Sequence, residues 1–419
     1  MFALFLVILF IVLIVIGTPI AFSIGIVSLI GISNIANIPN LVVPMKMFYG
    51  LNSFVLLAVP LFILTANLMN EGNITKKLID LSNALVGHVK GGLAHSNILV
   101  SMIFAGVSGS STADTAGVGK ILIPSMIESG YDKETAVGVT AASSTIGGII
   151  PPSIVMVIYG GLTNASISKL FLGGMIPGIL IGLGMMFVVG IMAKKKDFPR
   201  YEKTDAKTKI KLIRESIPAL LTPMIIIGGV VTGWYTATEA AAFSSVYAFL
   251  VGMFYYKTIK LKSIPRILEE TLKLSSLSLF ALATASALGE LLGYYRVGSY
   301  VQGFFMNTVS SPIGFLAIVV LFFLFVGTFM DAIPAMILFV PIILPAATLL
   351  GISNVHLGII IVITLSIGLV TPPYGLCLLI AASIGELGVE RSFKAVLPYI
   401  SIILMVLVLI IVFPQIVLI

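Results

Sequence analysis

The sequence predicts an all-α polytopic membrane protein built from two inverted repeats, each with a re-entrant hairpin and a proline-broken span. Three observations lead there. Of the 419 residues 58% are hydrophobic and only 10% charged, with a mean hydropathy of +1.16, and a water-soluble fold cannot hide that much apolar surface. Two apolar runs are interrupted by paired prolines, at Gly147-Gly148-Ile149-Ile150-Pro151-Pro152-Ser153 and at Gly368-Leu369-Val370-Thr371-Pro372-Pro373-Tyr374-Gly375. The interruptions also belong to an ordered series of matches. Asp114 and Asp331 stand 217 residues apart, as do Pro124 and Pro341. Gly130 and Gly351, Gly147 and Gly368, Pro151 and Pro372, Pro152 and Pro373, and Pro177 and Pro398 stand 221 apart. One four-residue insertion reconciles the two registers.

Met1 to Ile16 and Ile20 to Ile32 read as spans joined by a Gly17-Thr18-Pro19 turn. No basic stretch precedes the first run and no cleavage-like site follows it, so it reads as a span and not as a signal peptide. A polar, proline-containing stretch from Ser33 to Asn52 leads to a span from Phe54 to Met69. Between Asn73 and His88, Ile74, Leu78, Leu81 and Leu85 oppose Lys76, Lys77, Asp80 and Asn83, the pattern of an amphipathic helix at the membrane surface. Gly91 to Val107 is apolar, Ser108 to Thr115 is strongly polar, and the chain is apolar again to about Met126. Neither arm makes a full span, which gives a hairpin with a polar tip.

The first broken span runs from Thr135 to Gly161, and the next span from Leu170 to Met192, with Gly174, Gly178 and Gly182 on one face suited to close packing. The main hydrophilic loop, Lys194 to Arg214, carries Lys194, Lys195, Lys196, Arg200, Lys203, Lys207, Lys209, Lys211 and Arg214, which place it in the cytoplasm. Spans from Ile217 to Gly233 and Ala237 to Tyr256 turn at Trp234-Tyr235 and return to Lys257, Lys260, Lys262, Arg266 and Lys273. A span from Leu274 to Leu292 and a partly polar helix to Asn307 follow. The second hairpin, Pro312 to Leu350, has its tip at Gly327 to Asp331; the second broken span runs from Leu357 to Ile384, and the last span from Phe393 to Ile419. This path puts Lys76, Lys77, Lys90, Lys133, Arg391 and Lys394 inside, Lys46, Lys169 and Arg296 outside, and the amino terminus outside. Five spans separate the hairpins, an odd number, so the two copies have opposite orientations, the plan of a secondary transporter.

A helix crossing lipid can break only where its freed backbone groups find partners in the protein, so the breaks are either repaired by neighbours or used for binding. Hard cations are bound by oxygen, and interrupted helices add free carbonyls, while helix amino termini favour anions. Pairing the Ser108–Thr115 tip with Thr145–Ser153, and the Gly327–Asp331 tip with Gly368–Gly375, gives a cage for a small cation beside an anion. The expected cation ligands are Ser108, Gly109, Ser110, Asp114, Thr145, Gly147 and Pro151 in the first half, and Gly327, Thr328, Asp331, Gly368, Thr371, Pro373 and Gly375 in the second. Ser110, Ser111, Thr112, Ser153, Asp331 and Thr371 are the expected contacts to the anion. A carboxylate at membrane depth is costly and usually functional, which singles out Asp114 and Asp331; if the tips reach water, either is instead a helix cap. Isolated hydroxyls such as Ser143 and Ser366 read as bonded to backbone. Glu239, three residues past Thr236, reads as part of a capping box, and Arg296 offers Glu290 a partner.

Other classes find little support. A single cysteine, Cys377, excludes a disulfide framework and a thiolate metal site, and His88, His95 and His356 are too scattered for one. No Gly-x-Ser-x-Gly or phosphate-loop pattern occurs, so neither an ATP-driven pump, a serine hydrolase nor a membrane enzyme is expected. The net charge of +7 sits between spans, where orientation signals belong, and not in a nucleic-acid-binding patch.

Across essentially its whole length the sequence resembles the large membrane subunit of TRAP (tripartite ATP-independent periplasmic) transporters, the DctM type. The resemblance rests on Gly-Ser-Ser-Thr-Ala-Asp-Thr-Ala-Gly at 109–117, Ile123-Pro124-Ser125-Met126 with Gly130-Tyr131-Asp132, Ile150-Pro151-Pro152-Ser153 and Val157-Ile158-Tyr159-Gly160. The second half adds Gly327 to Asp331, Pro341 to Pro345 and Thr371-Pro372-Pro373-Tyr374-Gly375. Ser111 and Thr112 vary the small-residue pattern of the tip. The resemblance implies a sodium-coupled importer of organic acids (C4-dicarboxylate, sialic acid or another carboxylate) in the bacterial inner membrane. It implies an elevator motion of a transport domain against a scaffold, with Na+ carried as cargo. Its implied partners are a small four-helix membrane subunit, expected as a separate chain, and a periplasmic solute-binding protein. On that plan residues 1–73 are amino-terminal scaffold, 74–193 the first repeat, 194–216 the cytoplasmic loop, 217–310 scaffold and arm helix, and 311–419 the second repeat. A binding-protein-independent symporter of related fold and a passive anion channel remain the alternatives.

Overall fold

The computed structural model describes residues 2–417 except Asn37, Asn73, Asp197, Tyr201, Glu202, Val309 and Ser310, with the backbone alone for Ala3, Leu4, Val15, Met306 and Asn307. Met1, Asn73 and Ile419, expected ends of three elements, lie outside that set. The described residues form helices and no strands. The chain opens with α1 (Phe2–Val15), α2 (Ile20–Ser33), α3 (Val42–Leu51), α4 (Ala58–Glu71, entered through a 3₁₀ turn) and α5 (Ile74–Val86). A hairpin α6 (Gly92–Ser108) and α7 (Ser111–Glu128) follows, then an interrupted helix α8 (Lys133–Ser144) and α9 (Ile154–Thr163), and the long α10 (Ile167–Lys195). Next come α11 (Ala206–Val231), α12 (Ala237–Leu250), α13 (Ile264–Tyr294) and α14 (Val297–Thr308). The order then recurs: hairpin α15 (Pro312–Gly327) and α16 (Ala332–Leu349), interrupted helix α17 (Asn354–Gly368) and α18 (Leu376–Ile384), and long α19 (Val389–Val412).

Six helical stretches among the described residues are long and apolar enough to cross a bilayer: Phe54–Glu71, Ile167–Lys195, Ala237–Tyr255, Leu261–Tyr294, Ala332–Leu349 and Val389–Val412. The expected first two spans are helical, but at 14 residues each α1 and α2 are shorter than a bilayer core. Their turn is made by Gly17 at φ +87°, a conformation glycine adopts without steric cost.

The two hairpin sets interlock. Helix α18 packs on α7 and α8, α19 on α8, and α16 and α17 on α9. Helix α17 is buried on every face from Val355 to Gly368, and α8 from Thr135 to Ser144, so both lie at the centre of this body. The small-residue face of α10 does pack closely. A Cβ on Gly174 would lie 2.5 Å from the Ile149 carbonyl oxygen, one on Gly178 2.4 Å from Ile150, and one on Gly182 2.3 Å from the Met102 sulfur. A second body, α2, α3 and α4 along α13 with α12 on α4, packs against the first, and α5 lies on both α6 and α11. Gly174→Val is expected to destabilise by about 1–3 kcal/mol, because its new atoms meet the Ile149 carbonyl as well as the end of Met156, and only the methionine can yield; thermal unfolding in detergent measures this.

Several expectations need correction. The stretch Ser33 to Asn52 contains α3, whose Gly50 lies so close to Ser286 of α13 that a Cβ would reach within 1.9 Å of its hydroxyl; packing, not apolar content, makes this helix. On α5, Ile74, Leu78 and Leu81 are buried, but Leu85 is 39% exposed, and the buried face closes with Ala84 instead. The hydrophilic loop is shorter than Lys194 to Arg214, since Asp205 caps α11 through a hydrogen bond from Thr208 N–H at 3.1 Å. The last helix stops at Val412, ahead of Pro414. Glu290 pairs with Lys46 at 2.8 Å and not with Arg296: α3 brings the lysine alongside α13. Glu239 does complete a capping box with Thr236.

Five ion pairs join segments distant in sequence: Glu71 with Arg266, Lys77 with Glu215 (2.7 Å), Asp132 with Lys196 (3.0 Å), Lys133 with Glu386 (3.6 Å) and Glu134 with Arg391. All five cations belong to the set that the charge pattern puts on the loop side, while Lys46, paired to Glu290, belongs to the opposite set. Asp132 also caps α8, accepting from Thr135 N–H at 2.8 Å. Burial acts to raise the Asp132 carboxyl, but hydrogen bonds from Lys196 and Thr135 outweigh it and hold the group below the usual carboxylate range. A depressed carboxylate stabilises the fold above its unfolded pKa, and that contribution is lost as pH falls through the lower folded value. Asp132→Ala is therefore expected to cost about 0.5–2 kcal/mol at neutral pH and to flatten the acid limb of the stability profile, both read by thermal unfolding across pH.

Candidate functional site

Each hairpin tip is seated on the break of the following helix. In the first half α6 ends at Ser108, and Gly109 turns the chain at φ +60°. Ser110 then caps α7, accepting from Ala113 N–H at 3.4 Å, with its hydroxyl 3.1 Å from that of Thr112. Below it, α8 gives way to a tight turn over Thr145–Gly148, and Ser153 restarts the helix as α9, accepting from Met156 N–H at 3.2 Å. Backbone and side chain join tip to break: Ile154 N–H donates to the Gly109 carbonyl at 3.2 Å, and the Ser111 hydroxyl donates to the Thr145 carbonyl at 3.4 Å. Glycine is required at 109, where a Cβ would lie 2.6 Å from the Pro152 carbonyl oxygen.

The second half repeats this with different chemistry. Tyr374 N–H donates to the Thr328 carbonyl at 2.9 Å, and Gly327 lies directly on Gly368. Asp331 caps α16, accepting from Ala332 N–H at 2.8 Å. Both proline pairs, Pro151–Pro152 and Pro372–Pro373, are joined by cis peptide bonds. These contacts answer much of the demand of two broken helices for backbone partners.

A cavity of about 530 Å³ lies where the two tips meet the second body. The first tip contributes Ser108 to Ala113, the second Asp331 to Ile333, and the broken helices Ile154, Val155, Leu369, Tyr374 and Leu376. Its far wall is Ile63, Ala66 and Asn67 of α4 with Leu274, Leu277 and Ser278 of α13. Asp331 is the one charged side chain among these residues, and no basic group accompanies it.

Of the residues expected to bind, Ser108, Gly109, Ser110, Ser111, Thr112 and Asp331 line the cavity. Thr145, Gly147, Pro151, Ser153, Gly327, Thr328, Gly368, Thr371, Pro373 and Gly375 do not line it. Several have their hydroxyls committed elsewhere: Thr145 donates to the Ala142 carbonyl (2.6 Å), Ser153 to Gly148 (2.6 Å), Thr328 to Phe325 (2.8 Å) and Thr371 to Ile367 (2.8 Å). Asp114 is fully buried in the first turn of α7, away from the cavity. Its carboxylate oxygens make no hydrogen bond within ordinary geometric limits, although the Ser101 and Ser144 hydroxyls stand beside them. Ser143 and Ser366 bond to backbone carbonyls as expected, Ser143 also meeting Ser101 at 3.0 Å. Among the described residues no group of three histidine, cysteine, aspartate or glutamate side chains could hold a metal.

Sequence reasoning missed Asn67 and Ser278, and it named Tyr374 only as part of the Gly368–Gly375 break. Asn67 carried a signal, a lone amide in an apolar span; its Nδ2 donates to the Thr271 hydroxyl of α13 at 3.0 Å, fixing that wall.

Residues 7–416 match the model of a family described as "Tripartite ATP-independent periplasmic transporter, DctM component". The sialic acid TRAP transporter permease protein SiaT of Haemophilus influenzae is 37% identical over 96% of this chain, which spans 65% of that protein's length. The C4-dicarboxylate TRAP transporter large permease protein DctM of Pseudomonas aeruginosa is 37% identical over 87% of this chain and 86% of its own. A crystal structure of the YdaH transporter of Alcanivorax borkumensis aligns with a TM-score of 0.58 at 15% identity, over 88% of this chain and 87% of that one, a likeness of fold alone. The named relatives are transporter permeases and not enzymes. The chain belongs to the DctM component family of tripartite ATP-independent periplasmic transporters.

Proposed function

We propose that this chain is the large permease of a sodium-coupled importer that carries an organic acid across the bacterial inner membrane, its amino terminus in the periplasm. The observation that carries the reading is the cavity between the hairpin tips, which offers hydroxyls, one carboxylate and no basic side chain. An organic anion entering it meets Asp331 and no lysine or arginine. Cations bound with the anion supply the missing charge, and clustered tip oxygens suit a hard cation such as Na+. In this scheme Ser110 and Thr112 face the anion, and Asp331 holds cation charge beside it. Asp114, buried and unpaired, is a candidate for a deeper cation position.

Sialic acid and C4-dicarboxylates, named for the relatives, are the first substrates to test. The recurring order of hairpin, broken helix and long helix, with an odd number of spans between copies, supports the inverted-repeat plan. One wall of the cavity comes from the interlocked hairpin body and the other from α4 and α13, as an elevator needs: the first body moves with its cargo while the second stays. The partners in this scheme are a small membrane subunit and a periplasmic solute-binding protein. Proteoliposomes containing all three should take up the acid only down an inward sodium gradient. Uptake at equal rate without sodium would remove the coupling. Uptake without the binding protein would turn the reading into an independent symporter, and non-saturating flux into a channel.

A further inference from the structure

A second cavity, about 290 Å³, lies between α13, α14 and α16, far along α13 from the hairpin tips. Its floor and one wall are apolar or bare backbone: Gly289, Leu292 and Gly293 of α13 face Pro341, Ile342 and Pro345 of α16. Its polar end is Arg296, Ser299 and Gln302. Arg296 occupies the left-handed position that ends α13, at φ +50°, where glycine is the favoured residue. Among the described residues no carboxylate pairs with it, and the nearest acid in sequence, Glu290, is taken by Lys46. Tyr294 and Tyr300, 46% and 77% exposed, flank the arginine in the manner of an interfacial belt.

We propose that this cavity binds an anionic phospholipid. Arg296 holds the phosphate, with Ser299 and Gln302 hydrogen-bonding its oxygens, and the start of an acyl chain lies over Gly289 and Gly293 against the prolines of α16. A guanidinium fork suits two phosphate oxygens, and a free anion has no use for the apolar half of the cavity. The two glycines leave that half open: a Cβ on either meets nothing within 4 Å. The lipid touches α13 on one side and the second hairpin on the other.

The test is native mass spectrometry of the detergent-solubilised full chain titrated with phosphatidylglycerol. Arg296→Ala should weaken retention of the tightest lipid by about tenfold or more, the usual effect of losing a charge-assisted hydrogen-bonding partner. A Cβ at position 293 meets nothing within 4 Å, so Gly293→Leu extends into the cavity and should displace the same lipid with thermal unfolding unchanged. Lys169→Ala removes a cation that the charge pattern puts on the same side but outside the cavity, and should leave binding as it is. Wild-type retention by Arg296→Ala or by Gly293→Leu would overturn the assignment. So would an equal loss in Lys169→Ala, which would reduce the effect to surface charge, or displacement by inorganic phosphate, which would assign the site to a free anion.

Discussion

Asp331→Asn is expected to abolish sodium-driven uptake while leaving the folded protein as stable as the wild type. The side chain does two things: it caps α16 and it brings the one charge found among the described residues that line the cavity. Asparagine caps a helix as well as aspartate does, so the exchange keeps the first role and removes the second. Losing a desolvated charge that faces a cation typically costs about 2–5 kcal/mol, which is on the order of 100-fold or more in affinity. Asp331→Ala should add a further loss of about 0.5–2 kcal/mol in folding stability, because the cap goes too. Initial uptake rates at several sodium concentrations, with unfolding temperatures alongside, separate the two contributions. Uptake by Asp331→Asn at the wild-type rate would leave the residue a helix cap and nothing more.

What could be read in the sequence follows from how local each signal is. Paired prolines inside apolar runs, the clustered hydroxyls of Ser108 to Thr115 and the near-constant offset between halves are properties of contiguous residues, and the breaks and tips were legible for that reason. The pairing of each tip with the break that follows it was also legible, because two interrupted helices need backbone partners that lipid does not supply. The wall formed by Asn67 and Ser278 was not, since one polar residue in a span does not say which body it faces. The division within the expected site was hidden as well. Ser110 and Ser153 both cap helices, yet Ser110 lines the cavity while Ser153 spends its proton on Gly148. That difference is set by tertiary packing, as are the pairing of Lys46 with Glu290 across more than half the chain and the helix around Gly50.

Gly368→Ala should cut transport sharply by a different route, through the spacing between hairpin and break. A methyl group there would lie 2.5 Å from the Gly327 carbonyl oxygen and 2.7 Å from its carbonyl carbon and Cα, all backbone atoms that no rotamer change can move. The second hairpin must then shift away from α17, carrying the Tyr374–Thr328 hydrogen bond and Asp331 with it. Overpacking of this kind costs about 1–3 kcal/mol, and sites of this sort tolerate displacements of only about 0.5 Å. Uptake should fall on the order of 10- to 100-fold. Gly327→Ala is the internal comparison, because its methyl would meet Gly368 Cα at 3.3 Å, a contact that a few tenths of an ångström relieve. The first half gives an independent copy of the same ranking. Gly109→Ala combines a left-handed φ with a 2.6 Å contact to the Pro152 carbonyl, whereas a Cβ on Gly147 meets the Ser110–Ser111 backbone at 3.2 Å. If close seating of each tip on its break builds the site, Gly368→Ala and Gly109→Ala lose uptake far more than their partners Gly327→Ala and Gly147→Ala. Equal activity across all four would mean that the cavity forms without that contact.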